Sequence, residues 1–226
     1  MTKYYPIFLK LENKLVVVIG GGQVAERKIL TLLDRGAKIK VISPELTNKL
    51  KNLVKEGKIL WEKKEYEKGD LEGAFIVIGA TNNPMVQEEI YKEAEEKGIP
   101  CNIVDKPQYC SFIVPSLIER GDLTLAISTG GASPAVAKRL RERLESILGE
   151  EYELYLKLMR KIREEILKSP LSQEEKEKKL QIFALAPIPE YIKEKNLKIL
   201  EVLLTKEGLS HLIPEMLFLC TASKDT

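Results

Sequence analysis

The chain has 226 residues, 44% of them hydrophobic and 31% charged, which suits a globular protein of one or two domains with a real core. Its 36 basic and 34 acidic residues leave a formal net charge of +2, so the whole chain offers no electrostatic case for nucleic acid or for a membrane surface. No apolar run reaches the roughly 18–20 residues of a membrane helix. The start, Met1-Thr2-Lys3-Tyr4-Tyr5-Pro6, lacks the apolar core of a signal peptide, so the expected location is the cytoplasm.

Leu15-Val16-Val17-Val18-Ile19 is a continuous β-branched run, the pattern of a strand buried on both faces of a parallel sheet. A helix is predicted from Gln23 to Asp34, stopped by Gly36. Lys38–Ser43 reads as the next strand, Glu45–Glu56 as a helix ending at Gly57, and Ile59-Leu60-Trp61 as a weaker strand. Phe75–Ile78 is a strong strand leading into the turn-rich Gly79-Ala80-Thr81-Asn82-Asn83-Pro84. Residues 85–97 read as a helix closed by Gly98, and Cys101–Asp105 as a strand ending in a carboxylate. Strands alternating with helices predict βαβ units and an α/β, Rossmann-type, doubly wound parallel sheet.

Two further apolar runs, Ser111–Val114 and Leu123–Ile127, follow. The second leads into Ser128-Thr129-Gly130-Gly131-Ala132-Ser133-Pro134, where Ser133 suits an N-cap and Pro134 a first helical residue. Val136, Leu140, Leu144, Ile147 and Leu148 then form one apolar stripe. Residues 150–168, 172–185 and 190–206 read as three amphipathic helices, broken near Pro170 and by Pro187 and Pro189. Thirteen of the fourteen glycines fall within residues 1–149, and the charged, helical last third marks the clearest internal boundary.

Gly20-x-Gly22-x-x-Ala25 comes directly after a strand and opens a helix, and that context gives the pattern its value. Gly20 permits the tight turn, Gly22 lets backbone approach a pyrophosphate, and Ala25 lets helix and strand pack closely. With Gln23 and Val24 they present helix-terminal N–H groups to phosphates. The bland alternative is a tight turn without a ligand. The fingerprint's acidic residue, about 20 residues on at the end of the second strand, is replaced by Ser43-Pro44-Glu45. Glu45 can take the ribose role, or Ser43 can tolerate a 2′-phosphate; the reading leans to NAD with NADP open. Thr81 and Asn82 follow a strand and can line the same crevice, their alternative being ordinary turn chemistry.

The inventory excludes other chemistries. The cysteines (Cys101, Cys110, Cys220) are odd in number and form no CxxC pair, which argues against a disulfide framework and a cysteine zinc site. His211 is the only histidine, which argues against a histidine metal cluster or a Ser-His-Asp triad, and no residue is assigned to a resident metal. A structural role suits His211, and Cys101 and Cys110 suit small buried apolar sites. The Lys/Glu-rich stretch Glu174–Lys179 suits a solvated helix face.

Several ordered motifs together resemble a known family. They are Tyr5-Pro6-Ile7-Phe8-Leu9, Val18-Ile19-Gly20-Gly21-Gly22-Gln23-Val24-Ala25-Glu26-Arg27-Lys28, Gly79-Ala80-Thr81-Asn82, Asn102-Ile103-Val104-Asp105, Ser111-Phe112-Ile113-Val114-Pro115-Ser116 and Ala126–Pro134 continuing to Arg141-Glu142-Arg143-Leu144-Glu145. The chain is similar over residues 4–148 to the precorrin-2 dehydrogenases of siroheme synthesis, the type found in the N-terminal region of siroheme synthases. Some of these are also sirohydrochlorin ferrochelatases. The resemblance implies NAD-dependent oxidation of precorrin-2 to sirohydrochlorin, in some members insertion of a transient Fe2+, and a homodimer interlocked through the segment after the nucleotide domain. The expected organisation is therefore a NAD(P)-binding domain over 1–112, a dimerisation segment over 113–149 and a helical C-terminal domain over 150–226.

By position in the family's Asn-x-x-Asp motif, Asp105 inherits the catalytic role and Asn102 a place at the substrate. A carboxylate at the carboxyl end of a parallel strand lies where open α/β sheets place their ligand crevice, and it can act as general base; the alternative is an Asp capping a turn before Lys106-Pro107. Ser128-Thr129-Gly130-Gly131 before a helix can bind an anion, useful for a polycarboxylate tetrapyrrole. Arg120, Lys138, Arg139 and Arg141 are candidates for pairing its carboxylates, against the reading of a solvated charged face. Two readings compete with the dehydrogenase: an enzyme that also inserts Fe2+, and a NAD-sensing dimer module without catalysis.

Overall fold

The structure, a computed structural model, describes residues 4–222. The chain forms two compact units that divide between Val114 and Pro115.

The first unit is a five-stranded, all-parallel sheet: β1 (Leu15–Ile19), β2 (Lys38–Ile42), β3 (Ile59–Glu62), β4 (Ile76–Gly79) and β5 (Cys101–Ile103), in the order β3-β2-β1-β4-β5. Its helices are α1 (Gln23–Asp34), α2 (Asn48–Lys55) and α3 (Pro84–Lys97). Successive strand residues face opposite sides of a sheet. Val16 and Val18 accordingly join Ala25, Ile29, Leu50 and Leu53 of α1 and α2 in one core. Val17 and Ile19 join Ile90 and Ala94 of α3 in the other. Three consecutive valines, all fully buried, are thus explained by helices on both faces. A buried carboxylate fixes the long loop before β4: Glu93 of α3, 1% exposed, accepts hydrogen bonds from Tyr66 Oη (2.6 Å) and Gly69 N (2.9 Å).

The second unit begins with an antiparallel pair, β6 (Ser116–Arg120) and β7 (Leu123–Ile127), followed by α4 (Pro134–Glu145). The helices α5 (Glu151–Lys168), α6 (Gln173–Leu185), α7 (Ile188–Lys193), α8 (Leu197–Lys206) and α9 (Ile213–Ala222) then bury Leu158, Ile162, Phe183, Leu200 and Met216 in a core of their own.

Some boundaries differ from the sequence reading, each for a local reason. The second helix starts at Asn48 rather than Glu45 because Thr47, not an earlier residue, accepts the capping bond from Leu50 N (3.2 Å). The strand expected over Cys101–Asp105 ends at Ile103. Val104 N still donates to Gly79 O, but Lys106 N turns back to Ile103 O and Asp105 takes a left-handed φ of 59°. Ser111–Val114 forms no strand. Ser111 N donates to Cys101 O and the Ser111 hydroxyl accepts from Cys101 N, a one-residue clamp on the edge of β5 in place of a ladder. The helix expected over 190–206 is two, α7 and α8, separated at Lys195, whose φ is 57°. The stripe along α4 and just past it is not core in this chain: Val136, Leu140 and Ile147 are exposed and Leu144 and Leu148 half-buried, while Ala137 faces inward.

Candidate functional site

The glycine loop sits between the carboxyl ends of β1 and β4, at the point where strand order reverses, the place where doubly wound sheets bind ligands. Its geometry explains each glycine differently. Gly20 has φ +111°, and a Cβ there would stand 2.3 Å from Ala80 O, so both conformation and space demand glycine. Gly21 needs no special φ, but a Cβ would meet Glu45 O at 2.1 Å and Leu46 Cδ2 at 2.6 Å. The fingerprint assigns no role to Gly21, whose neighbours come from the β2–α2 loop. At Gly22 a Cβ would meet nothing within 4 Å. Gly22 is the N-cap of α1 and no side chain caps that end. Open space in front of uncapped helix amides, carrying the positive end of the helix dipole, fits a pyrophosphate. Gln23 and Val24 lie exposed in this first turn and Ala25 is fully buried against the sheet.

At the end of β2, Ser43 is buried and its hydroxyl donates to Glu45 O (2.7 Å), while its carbonyl accepts from Trp61 Nε1 (2.9 Å). Pro44 and Glu45 are exposed. The free polar group of this loop is therefore the Glu45 carboxylate. Across the crevice, Thr81 holds its turn by accepting from Asn83 N through Oγ1 and from Gln87 Nε2 through its carbonyl (2.7 Å), and Asn82 is exposed.

A second group of side chains gathers at the carboxyl end of β5. Asp105 is exposed in its left-handed turn, and Tyr109 of the following turn stacks on Tyr91 of α3 at 5.0 Å, anchoring the loop that carries it. Asn102 is only 8% exposed; its Nδ2 donates to Phe112 O (3.0 Å) and Cys110 Sγ (3.6 Å). Its Oδ1 faces Lys28 Nζ of α1 at 3.5 Å. Lys28 was not singled out from sequence, since only tertiary packing brings it to Asn102. Burial, and next the Arg27 charge, lower the Lys28 pKa, with Cys110 and Asp105 pulling the other way. Burial pushes the Cys101 thiol up to about 12, in keeping with an inert core residue.

In the second unit, the Ser128–Gly131 turn is held by its own hydroxyls. Gly130 N donates to Ser128 Oγ (3.0 Å), and Thr129 Oγ1 both donates to Ser133 O and accepts from Ser133 N (3.1 Å each). Gly130 and Gly131 have φ of +62° and +88° with open space where a Cβ would stand. Ser133 caps α4 by accepting from Val136 N. Three of the four basic candidates are engaged within the chain: Arg141 chelates Glu145 (2.7 and 2.8 Å), Arg120 donates to Leu148 O (3.1 Å), and Lys138 lies 3.8 Å from Glu142. Arg139 is exposed, and His211, on a short turn before α9, lies 3.3 Å from Glu165. Among the described residues no group of three or more His, Cys, Asp or Glu is arranged to hold a metal, and no helix is long and apolar enough to cross a membrane.

Comparison with known proteins places these features. Residues 7–116 match the family described as putative NAD(P)-binding, and residues 120–147 the family described as sirohaem biosynthesis protein central. Siroheme synthase 1 of Aeromonas salmonicida (strain A449) is 46% identical over 145 residues, 64% of this chain and 31% of that protein. Siroheme synthase of Photorhabdus laumondii is 38% identical over 163 residues, 72% of this chain and 35% of that protein. The chain thus spans about a third of the length of these curated relatives. The solved structure titled SirC, precorrin-2 dehydrogenase superposes with a TM-score of 0.70 at 27% identity, covering 86% of this chain and 99% of that one.

Proposed function

We infer that the chain belongs to the precorrin-2 dehydrogenase/sirohydrochlorin ferrochelatase family, the type that forms part of siroheme synthases, and from that premise we propose that it oxidises precorrin-2 to sirohydrochlorin with NAD+. The observation that carries the reading is the pairing, in one α/β unit, of an uncapped, open-faced glycine loop with a carboxylate at the end of β5. The bound nicotinamide supplies a hydride acceptor. The chain's own residues do the rest. Gly20, Gly21 and Gly22 let the α1 amides reach the pyrophosphate, with Gln23 and Val24 at the same helix end. Glu45, beside Pro44, offers its carboxylate to the adenosine ribose, and because the Ser43 hydroxyl is already spent on Glu45 O, the loop favours NAD over NADP. Thr81 and Asn82 line the facing side of the crevice. Asp105 takes the proton that the macrocycle loses, as a general base on an anchored turn. Ser128, Thr129, Gly130 and Gly131 form an anion-accepting turn for the substrate's carboxylates.

The exposed stripe of Val136, Leu140 and Ile147 supports a homodimer through segment 113–149, since apolar faces of this kind are ordinarily covered. The free thiols Cys101, Cys110 and Cys220 support a reducing, cytoplasmic setting. A second reading adds Fe2+ insertion, with Asp105 exposed to take pyrrole protons and the iron as cargo.

The test is an anaerobic assay of precorrin-2 with NAD+ or NADP+, with and without Fe2+. The wild-type protein is expected to form sirohydrochlorin with NAD+, and Asp105→Asn to lose about 10²–10⁴-fold in kcat. No turnover by the wild-type protein sinks the dehydrogenase. Iron insertion no faster than the uncatalysed background removes the second reading.

A further inference from the structure

We propose that Lys28 is a carboxylate-binding cation of the substrate site and that Asn102 is its positioning residue; the inference rests on the dehydrogenase reading above. Asn102 cannot easily serve the substrate itself. It is 8% exposed, and both ends of its amide face this chain. The nitrogen donates to Phe112 O and Cys110 Sγ, which can only accept or accept best, so the oxygen is the end left for the Lys28 ammonium. The amide's orientation is therefore dictated chemically, and it aims one acceptor at one lysine from 74 residues away.

The bond to Lys28 is long, 3.5 Å, so Asn102 locates the ammonium without saturating it. A lysine ammonium carries three donors, and among the described residues no carboxylate is paired with Lys28. The charge of Asp105 acts on Lys28 only weakly and from beyond ion-pair distance, so it leaves the ammonium available. A half-buried ammonium, partly stripped of water and short of partners, gains more from an incoming carboxylate than a solvated one does. The contrast with Arg120, Lys138 and Arg141 is direct, since each of those already has a partner in the chain. A tetrapyrrole bearing many acid side chains needs at least one such cation near the reacting ring.

The experiment is a pair of anaerobic titrations on the full chain, with sirohydrochlorin and separately with NAD+, for wild type, Lys28→Met, Lys28→Arg and Asn102→Ala. Lys28→Met is expected to raise the sirohydrochlorin Kd about tenfold, the size of one charge-assisted hydrogen bond. Its NAD+ Kd should stay within about twofold of wild type, the two differing by less than a tenfold step. Lys28→Arg should recover most of the loss, and Asn102→Ala should weaken sirohydrochlorin in the same direction by less. In turnover, Lys28→Met should raise KM for precorrin-2 more than it lowers kcat. Equal sirohydrochlorin Kd values for wild type and Lys28→Met, or a parallel loss of NAD+ affinity, overturn the assignment. If Asn102→Ala fails to fold, the Met and Arg variants decide alone. If the wild type oxidises no precorrin-2 yet its sirohydrochlorin Kd still depends on Lys28, the reaction falls and the carboxylate site stands.

Discussion

Two glycine turns precede two helices in this molecule, and they are built on opposite principles. At Gly20 and Gly21, side chains are excluded by the protein's own backbone: carbonyls of Ala80 and Glu45 stand 2.3 and 2.1 Å from where Cβ atoms would be. In Gly130–Gly131 nothing stands within 4 Å, and only the positive φ selects glycine, while Ser128 and Thr129 hold the shape with their hydroxyls. The first turn is hemmed in by neighbouring loops. The second is held from within and leaves its face open. A loop that must hold amides at fixed positions suits the first design, and a turn whose outer face is left clear suits the second.

The largest effect should come from Gly21→Ala. Its Cβ collides with backbone rather than with a flexible side-chain end, so the β2–α2 loop must move, at a cost of about 2–4 kcal/mol. Denaturant unfolding should report that loss, and NAD+ titration should report weakened binding with it. Unchanged stability would mean that the two loops are not pressed together. Gly131→Ala should cost less, about 1–2 kcal/mol, because it forces φ +88° on an L residue without a clash. NAD+ affinity should be untouched; a change there would break the separation of the two turns. Gly22→Ala should shift stability least, within about 0.5 kcal/mol, because its φ of −82° and open surroundings admit a methyl. Yet it should weaken NAD+ about tenfold by standing where the pyrophosphate approaches, which isothermal titration would measure. Full NAD+ affinity in this variant would remove the cofactor from that face.

What could be read from sequence follows the same division. The first strand and helix were legible to the residue, because a run of buried valines and a glycine turn are local patterns. The role of Gly21 was not, since its constraint comes from Glu45 and Leu46 in another loop. Lys28 reads as one basic residue in an amphipathic helix until packing brings it to Asn102. The turn at Asp105 and the clamp at Ser111 depend on hydrogen bonds between segments that no periodicity encodes. In the second unit, the stripe along α4 is apolar by pattern, but pattern alone does not say whether an apolar face meets its own chain. The break between α7 and α8 carries neither proline nor glycine at its hinge, only Lys195 in a left-handed conformation.

Thr47 has a consequence for motion. Its amide donates to Gly21 O (3.0 Å), its hydroxyl donates to Glu26 Oε2 of α1 (2.5 Å), and the same hydroxyl caps α2. One residue thus fastens the glycine loop and α1 to the start of α2. The two loops are thereby expected to open together, so that their amides share one opening free energy in hydrogen exchange. A ligand that holds either loop would then slow exchange in both.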